Sequence, residues 1–315
     1  MRFYTINILP IGGAPIIYTS IGDLGDNYSA LQIDLDIYQA QGHTPAPLGS
    51  INIYGVSFDD ISQKTNLEGA AIQVYIGMTV GYSIVTPRVG LIVSGQILQA
   101  FGNWQGTNVA LSLMVSSNAV NPAEDINLSF NWIKGTPLAD AVTTTLTTGF
   151  IGSLVTGSYL PSLIYTETQV GNYPNLLTFT QYINELSKKL NPDSLYAGAT
   201  IVPTATGFTL TDGSGLPQVT IINYQDLVGN ITWLSYATIS VKVIMRPDLD
   251  VGDYITFPTY APVVNTAIFA QARNSVNFAG VFRITQLRHS GMSRQANADS
   301  WVTIIDAAIT NVAMI

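Results

Sequence analysis

The stretch LQIDLDIYQ places Leu31, Ile33, Leu35 and Ile37 on one side of an extended chain and Gln32, Asp34, Asp36 and Tyr38 on the other. Successive side chains of a strand point to opposite faces, so this alternation suits a half-buried antiparallel strand and not a helix. The same signature returns in SINIYGVSF, AIQVYIGM, VGLIVSGQIL and NVALSLMV. These runs follow one another at intervals of roughly 8 to 12 residues, with Gly, Pro, Asn or Asp between them, as in an all-β sandwich or barrel. Residues 1–121 therefore read as one β domain.

The middle of the chain differs in kind. INLSFNW alternates again, but KGTPLADAVTTTL offers Thr136 as an N-cap, Pro137 at the first helical position, and Leu138, Val142 and Leu146 on one face. In TFTQYINELSKKLNP, Thr178 and Gln181 have capping-box spacing, while Phe179, Ile183, Leu186 and Leu190 form an apolar stripe. Lys188 and Lys189 suit the negative end of that helix, and Asn191 and Pro192 stop it. TGFTLTDG and QVTIINY read as a strand pair completing an α+β unit over 122–222. The β pattern then resumes in ATISVKVIM, GDYITFP, VFRITQL and WVTIIDAAI, giving a second β domain over 223–315. The expected class is mainly β with an α+β insertion.

Composition narrows function. Only 10% of the 315 residues are charged and 47% are hydrophobic. An isolated soluble surface normally carries more charge, so much of this one is expected to be covered by partners. A net charge of −8 argues against a protein that grips phosphates, because such affinity comes from Lys and Arg releasing counterions. The absence of cysteine removes disulfides, thiolate nucleophiles and zinc–cysteine sites together. MRFYTINILPIGGAP has no long apolar core, and no later run approaches the ~18 apolar residues that would suggest a membrane span, so no membrane anchor is expected.

Candidate chemistry is thin. His289, Ser290, Asp299 and Ser300 crowd into VFRITQLRHSGMSRQANADSWVTIIDAAI, yet the flanking residues alternate as strands, which makes His289–Ser300 the loop of a hairpin. No G-x-S-x-G elbow occurs. The other histidine, His43, sits in the Pro-rich turn QGHTPAPLG, and two histidines without cysteine make a poor transition-metal site. Asp59 and Asp60 would point to opposite faces of a strand, and Asp248, Asp250 and Asp253 in PDLDVGD lack the closing glutamate of a calcium loop. No catalytic residue, cofactor or metal site is expected. Arg288 and Arg294, near the ends of the hairpin loop, are the candidate assembly contacts.

The order of these features resembles that of the tail-tube-like baseplate hub proteins of tailed bacteriophages, whose relatives occur in contractile injection systems. SINIYGVSFDDISQ, AAIQVYIGM and LIVSGQI are similar to the family's early strands through Tyr54, Ser57, Gly77 and Gly95. WIKGTPLADAVTTTL is similar to its middle helix through Gly135, Leu138, Ala141 and Leu146. NYQDLVGNITW and VKVIMRPDLDVGDYITFP resemble its "L-I-G-x-P" segment and "L-x-P-x-L-x-x-G-D-x-I" strand pair, through Leu227, Val228, Gly229, Pro247, Leu249, Gly252, Asp253 and Ile255. The closing stretch resembles its last hairpin through Arg283, Ile284, His289, Gly291, Arg294, Trp301 and Thr303. Asn230 and Ile231 replace the family's usual proline region, and Met292 stands where an aspartate is common.

The resemblance implies two tail-tube-type antiparallel β-barrel domains flanking the insertion. It also implies a structural, non-enzymatic hub in the tail baseplate of a virion, assembled in the host cytoplasm. Such a hub is a homotrimer that joins a sixfold tail tube protein to a threefold central spike protein, touches other baseplate proteins, and lets genomic DNA pass without specific binding. The competing expectations are a tail-associated peptidoglycan hydrolase and a host-binding tail protein.

Overall fold

The computed structural model describes the chain except residues 23–24, 28, 41–48, 59–60, 62–66, 80–86, 106–107, 117–125, 152, 194–195, 197, 205–206, 214–217, 236, 259–277, 279 and 311–315. His43, Asp59 and Asp60 lie outside the described residues. The chain forms two compact units. One comprises Met1–Gln39, Pro47–Ala119 and Gln218–Ile315, the other Ala40–Ala46 and Val120–Pro217.

The first unit opens with β1 (Arg2–Leu9), β2 (Ile16–Thr19), β3 (Ile21–Gly22) and β4 (Gly25–Asp26). It continues with β5 (Gln32–Ala40), β6 (Gly49–Tyr54), β7 (Ala71–Met78), β8 (Arg88–Gln105) and β9 (Asn108–Ser116). The alternation behaves as expected: Ile33, Leu35 and Ile37 of β5 are buried, as are Ile51 and Ile53 of β6 and Leu111, Leu113 and Val115 of β9. With Ile6, Ile8, Ile72, Val74 and Ile76 they form one core, each such side chain contributing about 2 kcal/mol of apolar burial. The sheet curls, since the Tyr4 hydroxyl on β1 donates to the carbonyl of Leu31 beside β5, at the far side of the path β5–β6–β9–β8–β7–β1.

The second unit holds β10 (Leu128–Trp132), α1 (Leu138–Gly149), β11 (Leu154–Gly157), β12 (Gln169–Tyr173), α2 (Leu176–Leu190), β13 (Thr200–Thr204) and β14 (Gly207–Thr211). β10 pairs with β12, and a three-stranded sheet runs β11–β14–β13. Phe130, Trp132, Leu138, Val142, Leu146, Leu176, Phe179, Ile183 and Phe208 pack into its core. Two caps differ from expectation. Pro137, not Thr136, is the N-cap of α1, and the Thr136 hydroxyl donates to the Ile133 carbonyl 2.7 Å away in the preceding turn. α2 begins one turn early, because the Asn175 side chain accepts from the Thr178 N–H at 3.0 Å and so takes the capping role from Thr178. No helix among the described residues is long and apolar enough to cross a membrane.

The chain then returns to the first unit with β15 (Val219–Ile221), β16 (Thr232–Trp233), β17 (Thr238–Ile244), β18 (Tyr254–Thr256), β19 (Val281–Met292) and β20 (Trp301–Thr310). The strand in QVTIINY does not pair with TGFTLTDG. β15 lies parallel to β18, so residues 218–222 pack with the first unit and not with the insertion. The strands β16–β20 repeat β5–β9 in chain order and in neighbour order: β5–β6–β9–β8–β7 on one side, β16–β17–β20–β19–β18 on the other, every pairing antiparallel. The two arrangements join edge to edge where β19 meets β5, within one sheet of 13 strands.

Candidate functional site

The join between the two arrangements gathers most of the polar chemistry of the first unit. β19 is long enough to carry β18 at its beginning and β5 at its end. There the Ser293 N–H donates to the Ile33 carbonyl at 2.9 Å, while the Ile33 N–H donates to the Ser293 hydroxyl at 3.0 Å. Arg288 grips Asp36 with two bonds of 2.7 Å, Nε to Oδ1 and Nη2 to Oδ2, and its guanidinium lies 4.8 Å from the centre of the Tyr38 ring. This planar two-bond geometry is one that lysine cannot reproduce. Arg294 donates to the Ala30 carbonyl.

Arg2 closes the join from the opposite edge of the curled sheet. Its guanidinium donates to the carbonyls of Met292 at 2.8 Å, Gln295, and Asn297 at 2.9 Å, and to the Ser300 hydroxyl at 2.8 Å. A cavity of about 510 Å³ remains beneath this clasp, with Arg2, Tyr4 and Arg294 in its wall. Trp301, the first residue of β20, enters the core of the first arrangement, and its indole N–H donates to the Gly77 carbonyl at 2.8 Å. Glycine is required opposite it, because a Cβ on Gly291 would lie 2.4 Å from Trp301 Cε3. Gly77, Gly291 and Trp301, three residues that carry the sequence resemblance, thus meet at one place.

A second polar chain ties β8 to the later strands. Asp226, 4% exposed, is ion-paired with Arg88 at 2.9 Å and accepts from Arg246 at 3.3 Å, and Arg246 also holds Asp248 through bonds of 2.8 and 2.7 Å. A buried charge is tolerated when it is paired on several sides, as Asp226 and Arg246 are.

The histidine and serines do not assemble into a nucleophilic site. His289 lies inside β19 and not in the loop: it is fully buried, with Nδ1 3.0 Å from the Thr303 hydroxyl. Ser290 is the next residue of the same strand and so faces the other side. Asp299 is exposed and pairs with Lys242 at 3.3 Å, and the Ser300 hydroxyl donates to the Gln295 carbonyl at 2.8 Å. The loop proper is the short stretch between Met292 and Ala298. Asp250 and Asp253 bond each other's backbone, one N–H to a carboxylate at 2.9 Å and the other to a carbonyl at 3.1 Å, so PDLDVGD is a turn. Among the described residues no group of His, Cys, Asp or Glu is placed to hold a metal ion.

Arg288 and Arg294 are therefore brought together at one join, both bonded within the chain. Arg2, Trp301 and the Asp226–Arg246 pair are not evident as a group in the sequence. The available signal is the rarity of charge: with 12 Lys and Arg in the whole chain, an arginine in a strand next to RPD or at the second residue is conspicuous.

Neither a protein-family model nor a curated protein matches the sequence. Solved structures match along nearly its whole length. A tail protein from Neisseria meningitidis MC58 superposes with a TM-score of 0.52 at 12% identity, over 97% of this chain and 96% of its own. The 43 kDa tail protein of prophage MuSo2 from Shewanella oneidensis gives 0.56 at 8% identity, over 98% of each chain. The E. coli c3393 protein, a component of the type VI secretion system with structural similarity to T4 bacteriophage tail proteins gp27 and gp5, gives 0.50 at 10% identity, over 89% of this chain and 74% of its own. At these identities the likeness is one of fold. The chain has the mainly β fold of phage tail proteins, with its helical insertion in the middle.

Proposed function

We propose that this chain is a structural hub of a phage-type tail baseplate, a homotrimer that fits a sixfold tail tube on one side to a threefold spike on the other. The observation that carries this reading is the duplicated five-strand arrangement within one chain. Three copies of a chain holding two like arrangements offer six like faces, which is the arithmetic a threefold-to-sixfold adaptor needs. The full-length fold likeness to two tail proteins supports it. In this reading residues 1–121 and 218–315 supply the two tube-type domains and 122–217 the domain between them, with the tail tube protein, the spike protein and other baseplate proteins as partners. The virion tail is its place, genome passes through the ring, and no catalysis is involved. Arg288 and Arg294 keep a role in assembly by fixing the join they already hold.

The test is a count and a position in assembled tails. Symmetry-resolved imaging is expected to find three copies at the distal end of the tube. Six copies, or a peripheral location, would overturn the hub reading.

A further inference from the structure

The cavity under the Arg2 clasp has a one-sided chemistry. Its neutral polar groups have spent their hydrogen bonds on the fold. The Tyr4 hydroxyl donates to the Leu31 carbonyl, and the Ser20 hydroxyl accepts from the Tyr4 N–H at 2.9 Å and donates to the Tyr4 carbonyl at 3.2 Å. The Asn27 side chain bonds the Thr19 carbonyl at 3.2 Å and the Ser29 N–H at 3.0 Å. The guanidiniums have capacity left: Arg2 uses four of its five N–H groups and Arg294 uses one, all on neutral acceptors. Among the described residues no Asp or Glu lines the cavity, and neither arginine is ion-paired. Arg88, Arg246 and Arg288, by contrast, each face a carboxylate. Hydrogen bonding to Asp36 raises the pKa of Arg288, whereas burial lowers that of Arg2. A half-buried cation without a counter-charge carries a desolvation cost that an anion in the cavity would offset.

We infer that this cavity is a carboxylate-binding site, filled by a glutamate or aspartate on a short acidic segment of another protein. Guanidinium N–H groups match the two oxygens of a carboxylate, and the unspent ones here belong to Arg2 and Arg294. At about 510 Å³ the cavity has the size of sites that enclose a whole small ligand, so it has room for the acidic side chain and the backbone that carries it. Net charge makes the site selective. A chain of −8 repels an acidic segment over most of its surface and accepts it where two cations stand without counter-charge. A recess takes one anionic group at a time, and the line of phosphates along a duplex cannot enter it. The site lies within the first unit of one chain and needs no second copy to complete it.

The test is calorimetric titration of the full chain with tetraglutamate blocked at both ends, and with blocked tetraglutamine as the uncharged match. Saturable binding of the first and none of the second is expected, with affinity falling about tenfold or more in Arg294→Gln. A second pair of variants leaves both arginines alone. Ala296 is exposed in the cavity wall, so Ala296→Glu keeps the fold and sets a carboxylate of the chain's own beside the guanidiniums. It should weaken tetraglutamate by a similar factor, while Ala296→Gln should leave the affinity as it is. Three outcomes would each overturn the proposal: tetraglutamate failing to bind or binding no better than tetraglutamine, undiminished binding in Ala296→Glu, or tighter binding of a thymidine tetranucleotide, which would make the cavity a phosphate site.

Discussion

His289 is a buried imidazole with one partner. Nδ1 faces the Thr303 hydroxyl, which also receives the Arg246 N–H at 2.9 Å and lies 3.6 Å from the Met245 sulfur, while Nε2 has no hydrogen-bond partner. The network closes most simply with the proton on Nδ1, leaving a bare nitrogen and not an unpaired N–H in the core. Burial holds this histidine neutral and pushes its pKa down to about 4. The sign of the linkage follows: the unfolded chain takes up a proton near pH 6.5 and the folded chain does so only near pH 4, so stability is full above 6.5 and falls as pH drops towards 4. The loss from this group is about 3 kcal/mol at most. Denaturant titrations at several pH values should show that slope in the wild type and its absence in His289→Gln. A slope unchanged in the variant would show that other groups are responsible. The position was misplaced from sequence because HSGMSR is polar and looks like a loop, whereas the end of β19 is lined on one side by β5, a partner some 250 positions away that no local pattern announces.

At the scale of elements, Trp301 is a strand's first residue acting as a plug for a different set of strands. Its ring fills the first arrangement's core and its indole N–H satisfies the Gly77 carbonyl, so removal leaves a cavity and an unpaired acceptor together. Trp301→Ala should cost roughly 3–5 kcal/mol by chemical denaturation. Trp301→Phe, which keeps most of the apolar surface, should cost about 1–2 kcal/mol for the lost bond and volume. Equal losses in the two variants would refute the plug. Strands of this kind were legible where one face is dry: β5, β6, β7, β9 and β17 alternate cleanly and lie where the pattern put them. The full 18-residue length of β8 was not, because Gly95 and Gly102 interrupt its alternation. Nor was β16, whose two residues are too few to show a period, whereas β18 lies inside GDYITFP, where a strand is expected. The partner of β15 is not legible, since its parallel pairing with β18 spans a distance at which turn signals say nothing. Asn175 is inconspicuous as a cap because Thr178 and Gln181 match a capping box one turn later.

For the molecule as a whole, the proposed passage of DNA turns on charge. The chain carries 20 acidic residues against 12 Lys and Arg, a net charge of −8. The structure tightens the point, because several of the cations are already occupied. Arg88, Arg246, Arg288 and Lys242 sit in ion pairs with carboxylates, and Arg2 and Arg294 donate to backbone carbonyls. Each phosphate contact needs a cation free to displace counterions, and the arginines at the join between the two arrangements could serve a duplex only by giving up the bonds that hold it. A duct for duplex DNA gains from this poverty, since a wall that repels phosphates lets them slide, whereas a basic wall would hold the genome at every step. Fluorescence anisotropy with a short labelled duplex should therefore show no binding at roughly 0.15 M salt up to about 100 μM protein, the weak end of the non-specific range. Sub-micromolar affinity that falls steeply with added salt would require an unpaired basic surface and would count against the proposed conduit role, while leaving the fold and its duplicated strands untouched.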